Sequence, residues 1–580
     1  MRSGEACYNH SHMRYLLKPT ITKKQAAELK SFPGIVGQLL VNRDVTTQKT
    51  AENFVNKNPD VIGDPNLFLG SKKITKRIID AIKKKETILI FADYDADGIP
   101  GSVVLSDFFR KIEYPVEVYF PHRNKDGFGL NMRAVDDFVE RKINLVITID
   151  CGITDVNEIA KLQKNGIDVI VTDHHHAGKK IPNAFGILNP KQKECKYPSE
   201  MLCGAAVAFK LVQLLSAHYE DLCTNEWQKT LLDMVGIATL SDMVPLTGEN
   251  RLFAFYGLQM LRISERLGVQ KLCKLGGVKQ FDLTEQDVVF ALTPKINAAS
   301  RMGIPKDAYN LLVSTDEEEA SKYIKILSSA NNSRKKFVDA IAQEVVEQLV
   351  GQDTSSVIVV GNKEWKPSLL GLVASKLVDQ YHVPAFVWGQ EDAAHIKGSC
   401  RGVNDVSLHD MMTQAASSFL QFGGHANAGG FESDEDKVED MQENLRTAYK
   451  DLQSKVHEPE TFIDQTLALE EVTPETYNEI HKLAPYGEAN PAPLFVFPQT
   501  EIYKAEAFGK NKEHTKMVCR TSDFRYIDVI AFFKSIESLQ VTPQAGDRVN
   551  IVGVIEYSQF MGRRKLRLKL VDVIQSDSWK

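Results

Sequence analysis

Between about Thr46 and Val171 the sequence repeats one phrase: a short apolar run, a polar turn and a helix-like stretch. The runs are ILIF (88–91), VEVYF (116–120), LVITI (145–149) and DVIVT (168–172), separated by helical stretches such as SVVLSDFFRKI, RAVDDFVERK and VNEIAKLQKNG. Apolar strands alternating with helices at this spacing predict βαβ units, a parallel sheet and a doubly wound α/β domain. Between about 200 and 345 helical patterns dominate, ending in KYIKILSSANNSRKKFVDAIAQEVVEQLV, whose length and charge suit a long connecting helix. A second α/β segment begins at SSVIVVG (355–361) and runs through the Gly-rich SFLQFGGHANAGGF to about Asp451. From roughly Thr461 the pattern changes to TEIYKAEAF, TKMVCRT, YIDVIAFF, DRVNIVGVIEY and KLRLKLVDVI, five short strands that fit a small closed barrel of the kind that carries nucleic acid. The expected organisation is an N-terminal extension (1–45), a catalytic α/β domain (46–300), a connecting helix (301–350), a second α/β domain (351–455) and a β-barrel domain (456–580).

The 580 residues, 43% hydrophobic and 25% charged, have the composition of an ordinary globular chain, which argues against collagen, wholly disordered and membrane-protein readings. No run approaches the ~20 apolar residues of a spanning helix, and MRSGEACYNHSHMRYLL lacks the apolar core of a signal peptide, so a cytoplasmic protein is expected. The 8 cysteines form no CxxC pair or regular framework, which argues against a zinc finger or a disulfide scaffold. The net charge of −6 disfavours a generic polyanion binder, but the segment from Tyr503 to Lys569 carries 13 Lys or Arg against 7 Asp or Glu. That local basic surface is what a phosphate backbone selects.

Three of the strands run directly into acidic or imidazole side chains. ILIF leads to Asp93-Tyr94-Asp95-Ala96-Asp97-Gly98, LVITI to Asp150-Cys151-Gly152, and DVIVT to Asp173-His174-His175-His176. Ligands of open parallel sheets bind beyond the carboxyl ends of the strands, so these groups converge on one crevice. So many carboxylates in one crevice need cations to neutralise them. Carboxylate ligands suit Mg2+ or Mn2+, and an added imidazole tilts the choice toward Mn2+. Two ions about 3.5–4 Å apart would activate a water and stabilise the leaving oxygen of a phosphodiester, which is hydrolytic phosphoryl chemistry. Each motif has a plainer reading when taken singly: a strand-end aspartate is often a helix N-cap, as Asp136 or Asp155 could be, and paired histidines are often surface residues. The conjunction of three strand ends favours the metal. A fourth element, IATLSDMVPLTGENR, adds Asp242 as a further ligand or bridge.

Taken together the motifs resemble those of the DHH phosphoesterase superfamily, and within it the RecJ single-strand-specific exonucleases. The matching segments are DYDADG (93–98), DCG (150–152), VTDHH (171–175), SDMVPL (241–246), NAASRMG (297–303), GSCRG (398–402) and GGHANAGG (423–430). The resemblance continues through PYGEANPAPLF (485–495) into the barrel; residues 1–12 lie outside it. It implies a parallel-sheet DHH catalytic domain, a connecting helix, a DHH-associated α/β domain and an OB-type barrel. It further implies that Asp95, Asp97, Asp150, His174 and Asp242 ligate two divalent cations, Mn2+ or Mg2+. Asp93 and His175 would be close neighbours that orient those ligands or touch the second ion, and Asp173 could play the same orienting part. Ser399, Arg401 and His425 match phosphate-holding positions, with Gly423 and Gly424 admitting backbone to the strand; glycine-rich turns expose N–H groups and arginine forks onto phosphate. Arg123 and Arg301 match positions near the cleft. The chain departs from the pattern with Trp365-Lys366-Pro367-Ser368 where many relatives have Trp-His-x-Gly, Gly429 where Ala is commoner, and Cys400 where Gly is frequent.

The function the resemblance implies is processive 5′-to-3′ hydrolysis of single-stranded DNA to mononucleotides in DNA repair and recombination. A helicase and a single-strand-binding protein would deliver the strand to a monomeric enzyme with no membrane partner. In the barrel, Arg563, Arg564, Lys565, Arg567 and Lys569 with Phe508, Phe524 and Phe560 would grip nucleotides by charge and stacking. Two other readings are a DHH-family phosphodiesterase for short oligonucleotides or cyclic dinucleotides, and a catalytically silent DNA-binding scaffold. The basic barrel opposes the first and the intact acidic motifs oppose the second.

Overall fold

The computed structural model describes residues 14–390, 395–403, 406–453, 460–510, 512–560, 563–574 and 579. After strand β1 (Arg14–Leu17) and short helices up to Asn56, the chain alternates strands with helices through β2 (Ile88–Ala92), β3 (Glu117–Tyr119), β4 (Leu145–Ile149), β5 (Asp168–Thr172) and β6 (Gly186–Leu188). Helices dominate from Gly204 to Gln348, the last of them spanning Glu317–Gln348. Then come β7 (Ile358–Asn362), β8 (Ala385–Gly389), β9 (Ile396–Arg401), β10 (Gln421–Gly424) and β11 (Ala428–Ser433). The chain ends with β12 (Glu460–Ile463), β13 (Gln465–Thr466), β14 (Phe495–Phe508), β15 (His514–Arg520), β16 (Tyr526–Ala531), β17 (Arg548–Phe560) and β18 (Arg563–Ile574). It divides into two compact units, one of Pro59–Val456 with Gly487–Ala489, the other joining the residues up to Asn58 to the C-terminal stretch.

In the first unit β2 to β6 form a parallel sheet in the order β3-β2-β4-β5-β6. Ile88, Ile90 and Ala92 of β2 enter one core with Val103 and Phe108 of helix Gly98–Lys111 and Leu211 of helix Gly204–Ser216. Leu89 and Phe91 enter a second core with Phe138 of helix Met132–Glu140 and Leu162 of helix Val156–Lys164. A strand covered on both faces has no solvent side to keep polar, which is why these runs are unbroken apolar stretches. The chain steps from β2 outward to β3 and then back across to β4, so the strand order reverses between β2 and β4. The crevice at such a reversal, beyond the carboxyl ends, is where this architecture binds ligands. Three-residue β6, an edge strand, adds to the four strands expected from the apolar runs.

The connecting helix Glu317–Gln348 begins at Asp316, whose carboxylate accepts from the Glu319 amide at 2.8 Å, with three glutamates in its first turn against the helix dipole. Its Val338, Ile341 and Val345 pack on Leu369, Leu370 and Val373 of helix Pro367–Tyr381 and on β7 and β8. That second sheet runs β10-β11-β9-β8-β7, parallel between β7 and β8 and antiparallel elsewhere.

In the second unit β14, β15, β16, β18 and β17 form a closed five-stranded OB-type barrel, sealed by β17 against β14. Alternate residues Thr515, Met517 and Cys519 of β15 point inward. Leu39, Leu40 and Ala51 share the barrel's core with Phe495, Phe497 and Ile551, and β1 pairs in parallel with β12. The segment that reads in sequence as an extension therefore contributes to this core from Leu29 onward, and its β1 adds to β12. Among the described residues no helix is long and apolar enough to cross a membrane.

Candidate metal centre

The loop after β2 is built around its own carboxylates. The Asp93 amide continues the sheet by donating to the Ile149 carbonyl at 3.1 Å. Asp95 Oδ1 accepts from the amides of Asp97 (2.8 Å) and Gly98 (3.1 Å), which turns the chain into helix Gly98–Lys111. Gly98 is obligatory, because a Cβ there would stand 2.3 Å from the Asp93 carbonyl oxygen. The Ala96 amide donates to Asn297 Oδ1 at 2.8 Å, anchoring the loop from a distant helix. Asp97 accepts from Gly204 N at 2.6 Å and Ala205 N at 2.7 Å, so its two oxygens cap helix Gly204–Ser216.

β4 delivers Asp150 at φ +61°, a left-handed conformation uncommon outside glycine. A Cβ at Gly204 would come within 2.5 Å of the Asp150 Cβ, so the glycine lets the helix start against this loop. β5 delivers Asp173, whose Oδ1 accepts from the amides of His174 (2.7 Å) and His175 (3.0 Å) and lies 2.8 Å from His175 Nδ1. Its Oδ2 accepts from the Ile153 amide at 2.9 Å. Asp242 ends helix Leu232–Ser241. His174 Nε2 stands 3.0 Å from Asp150 Oδ1 and 3.7 Å from both Asp97 Oδ2 and Asp242 Oδ2.

The electrostatics of this cluster are those of a site for cations. Burial first, and the neighbouring carboxylates second, push Asp93, Asp150 and Asp242 well above the usual carboxylate range. Asp97 rises to about 7, through burial and then Asp95. Burial and the adjacent His175 lower His174 to about 3, which keeps its imidazole neutral and able to ligate. His175 is raised: burial opposes its charge, but the bond and charge of Asp173 outweigh it. Asp173 itself stays low despite burial because His175 and backbone amides donate to it.

Asp93 Oδ1, Asp150 Oδ1 and His174 Nε2 are buried and make no hydrogen bond, the last two facing each other at 3.0 Å without one. Buried polar atoms are rarely left so, and three in one crevice mark the place of a ligand that accepts lone pairs. Donor atoms of Asp93, Asp95 and Asp150 lie within 4.8 Å of one another, as do those of Asp97, His174 and Asp242, and those of Asp150, His174 and His175. Asp150 and His174 each belong to two of these sets. The donors fit two divalent cations of the Mn2+ or Mg2+ kind. Asp93, expected to orient ligands or touch the second ion, stands in the same donor set as Asp95.

The positions expected to hold phosphate fall into two groups. Ser399 and Arg401 are two apart on β9 and leave the same face, while Gly423 and Gly424 end β10, two strands away, and His425 opens the turn by donating its amide to the Ala428 carbonyl at 2.8 Å. Arg123 lies over the Tyr94 ring at 4.9 Å, and Arg301 donates to the Ser368 carbonyl at 2.5 Å. Two departures from the family pattern compensate each other. Gly429 pairs with Cys400 across the sheet, and a Cβ at Gly429 would stand 3.0 Å from the Cys400 sulfur, so the thiol fills the space an alanine methyl would take.

The motifs did not single out Gly204, Ala205, Asn297 or Lys191. The first two signal themselves as a small-residue start to an apolar helix, and Asn297 by its place in NAASRMG. Lys191 is half-buried and within electrostatic reach of Asp242, Asp173 and Glu200.

On the barrel, Tyr503, Phe524, Tyr526, Phe532 and Phe533 are exposed. Tyr503 packs edge-on to Tyr526, Arg520 lies over Phe524, and Phe508 joins His514 and Phe532, over which Arg567 lies. Lys565 is paired with Asp528 at 2.6 Å and Arg567 with Glu556 at 2.6 Å, which softens the expected basic hairpin, while Arg564 lies over Tyr557. The side chains of Phe560 and Arg563 lie outside the described residues.

Family models match along the chain: DHH family, N-terminal domain, at residues 87–239; DHHA1 domain at 354–451; RecJ OB domain at 463–572. The single-stranded-DNA-specific exonuclease RecJ of Bacillus subtilis (strain 168) is 34% identical over 557 residues, covering 96% of this chain and 70% of that protein. RecJ of Haemophilus influenzae is 29% identical over 532 residues, covering 88% and 92%. Among solved structures, RecJ from Thermus thermophilus in complex with Mn2+ superposes with a TM-score of 0.80 at 24% identity, covering 98% of this chain and 81% of that one. An exonuclease RecJ bound to manganese has a TM-score of 0.57 at 29% identity, covering 68% and 96%.

Proposed function

The chain belongs to the RecJ family of single-stranded-DNA-specific exonucleases, and from that premise we propose that it degrades single-stranded DNA from the 5′ end, releasing mononucleotides at a two-cation centre. It is a metal-dependent phosphodiesterase of the DHH kind. The observation that carries the mechanism is the convergence of three unpartnered buried acceptors, from Asp93, Asp150 and His174, at the reversal of strand order.

When bound, the cations would lower the pKa of water and act as Lewis acids toward the phosphoryl and leaving oxygens. Asp95, Asp97, Asp150, His174 and Asp242 would hold them, with Asp93 available to one. Asp173 takes the His175 Nδ1 proton as a hydrogen bond and so fixes the tautomer that leaves the other ring nitrogen as a lone-pair donor. Asp97, tied to the helix N-terminus by both oxygens, keeps its orientation whatever ion it faces. Ser399, Arg401 and His425 would receive the 5′-phosphate, with Arg123 and Arg301 beside the path of the strand, while the exposed barrel aromatics offer stacking platforms that tolerate any base. An enzyme confined to single strands needs a helicase and a single-strand-binding protein to expose and present its substrate, and we assign it to DNA repair and recombination in the cytoplasm as a monomer.

The test is Mn2+-dependent degradation of a long single strand labelled at either end, with the Asp95→Ala/Asp97→Ala protein beside the parent and circular dichroism to check folding. Early loss of the 5′ label, abolished in a folded double variant, is expected. Early loss of the 3′ label would refute the polarity, and undiminished degradation by the variant would refute the metal centre.

A further inference from the structure

Three arginines of the catalytic unit, Arg123, Arg334 and Arg401, lie within electrostatic reach of a fourth, Arg301. Arg123 opens helix Arg123–Asp126, Arg301 closes helix Thr293–Arg301, Arg334 lies midway along the connecting helix, and Arg401 ends β9. Helix Pro367–Tyr381 is their common support, packing on helix Arg123–Asp126, on the connecting helix and on β9. Arg301 donates to the Ser368 carbonyl at 2.5 Å and Ser368 Oγ returns a bond to the Arg301 carbonyl at 3.1 Å. One turn further on, the Arg401 guanidinium lies over Gly371, where a Cβ would approach its Nη2 to 2.9 Å. Ser368 and Gly371 are three apart and share a helix face, so the two guanidiniums lie on one side of this helix.

Burial first, and then Arg123, Arg334 and Arg401, lower the Arg301 guanidinium to about 9 against the opposing charge of Asp95. Asp95 is the acid whose charge reaches Arg301, and Arg123 faces Asp93. Asp339, the acid whose charge reaches Arg334, is bound to Lys376 at 2.6 Å. Arg334 Nη2 donates to Asn331 Oδ1 at 3.0 Å, which steadies the guanidinium, while its Nε is buried without a partner. Lys295 is lowered by burial and then by Lys335 and Arg334, so the same surface extends onto the neighbouring helix. A cluster of partly desolvated like charges costs folding stability and persists where an anion offsets it.

We propose that Arg334, supplied by the connecting helix, is a substrate-binding residue that takes a non-scissile phosphate of the single strand alongside Arg301 and Arg401. The inference rests on the nuclease reading above and extends it to a helix that reads in sequence only as a connector. The planar guanidinium of Arg334 offers directional donors suited to phosphate oxygens, which the point charge of lysine does not reproduce.

The experiment compares the full-length parent with Arg334→Gln and Arg334→Lys in Mn2+, measuring kcat and KM on 5′-phosphorylated single strands over a range of salt, and melting temperature without metal or DNA. For Arg334→Gln the expected result is a KM raised about tenfold with kcat within about twofold. The slope of log KM against log salt should fall by about 0.7, one phosphate contact on a single strand. The melting temperature should be unchanged or higher, because one repelling charge has gone. Arg334→Lys should keep the salt slope and show an intermediate KM. A purely structural arginine would instead give a lower melting temperature with KM and salt slope at the parent's values, and that result overturns the proposal. A parent that degrades no single strand would overturn the nuclease reading, and this inference with it, separately from any effect of the substitution.

Discussion

Asp150 stands at φ +61° with an unpartnered buried oxygen and a carboxyl pushed upward by burial and by Asp97, Asp95, Asp93 and Asp242. Strain and repulsion of this kind persist where function selects them. Asp150→Asn should therefore lower kcat/KM by about 10³-fold, as several kcal/mol of cation-dependent stabilisation is lost. The metal-free melting temperature should hold or rise, and a drop of several degrees would show that the carboxylate serves the fold instead. The same groups set a pH dependence. Asp97, raised to about 7 from 3.8, favours the folded metal-free chain at low pH and loses that contribution as pH rises through about 7; Asp93, Asp150 and Asp242 move in the same sense. His174, lowered to about 3 from 6.5, acts oppositely but only below 6.5. Between about pH 6.5 and 8 the carboxylates decide, so melting in EDTA should fall with rising pH while the stabilisation from added Mn2+ grows. A metal-free melting temperature that rises across that window would contradict the cluster's charge state. At this scale the acids and His174 were legible because the motifs end strands. Arg334 was not, because a lone arginine on a long charged helix looks like a solvated one.

Helix Gly204–Ser216 begins against the metal loop only because residue 204 has no side chain. Gly204→Ala forces a Cβ to 2.5 Å from Asp150 and should destabilise by about 1–3 kcal/mol through overpacking, with a larger loss of activity as Asp97 and Asp150 shift. Gly178→Ala, with open space at its Cβ, is the control and should change neither denaturant midpoint nor rate. Phe91 lies fully buried between two helices' side chains on the rear face of the sheet, and Phe91→Ala should cost about 3–5 kcal/mol in urea unfolding. A cost below about 1 kcal/mol would mean the face repacks freely. The apolar runs announced these strands almost to the residue. The short edge strand Gly186–Leu188 escaped because three residues carry no period to read.

At the scale of the molecule, residues 14–58 share one core with the barrel, through Leu39, Leu40 and Ala51 and the pairing of β1 with β12. Removing residues 1–58 should therefore unfold the barrel unit rather than trim an appendage. Limited proteolysis should then cut between about 490 and 574, sites protected in the full chain. A truncated protein with an intact, protease-resistant barrel would refute this.

The order of strands and helices, the closed barrel and the identities of the acidic and imidazole groups were set by the sequence itself. Each rests on local periodicity or on residue types at a strand end. What only the tertiary structure decided are relations between distant segments. Asp97 is held by a helix start 107 residues away, and the DYDADG loop by Asn297, 201 residues away. Cys400 fills the space above Gly429, and four arginines from four elements meet around one helix. No period or spacing encodes such pairs, because contact across a fold depends on how sheets and helices stack, and that is settled by packing the whole core at once.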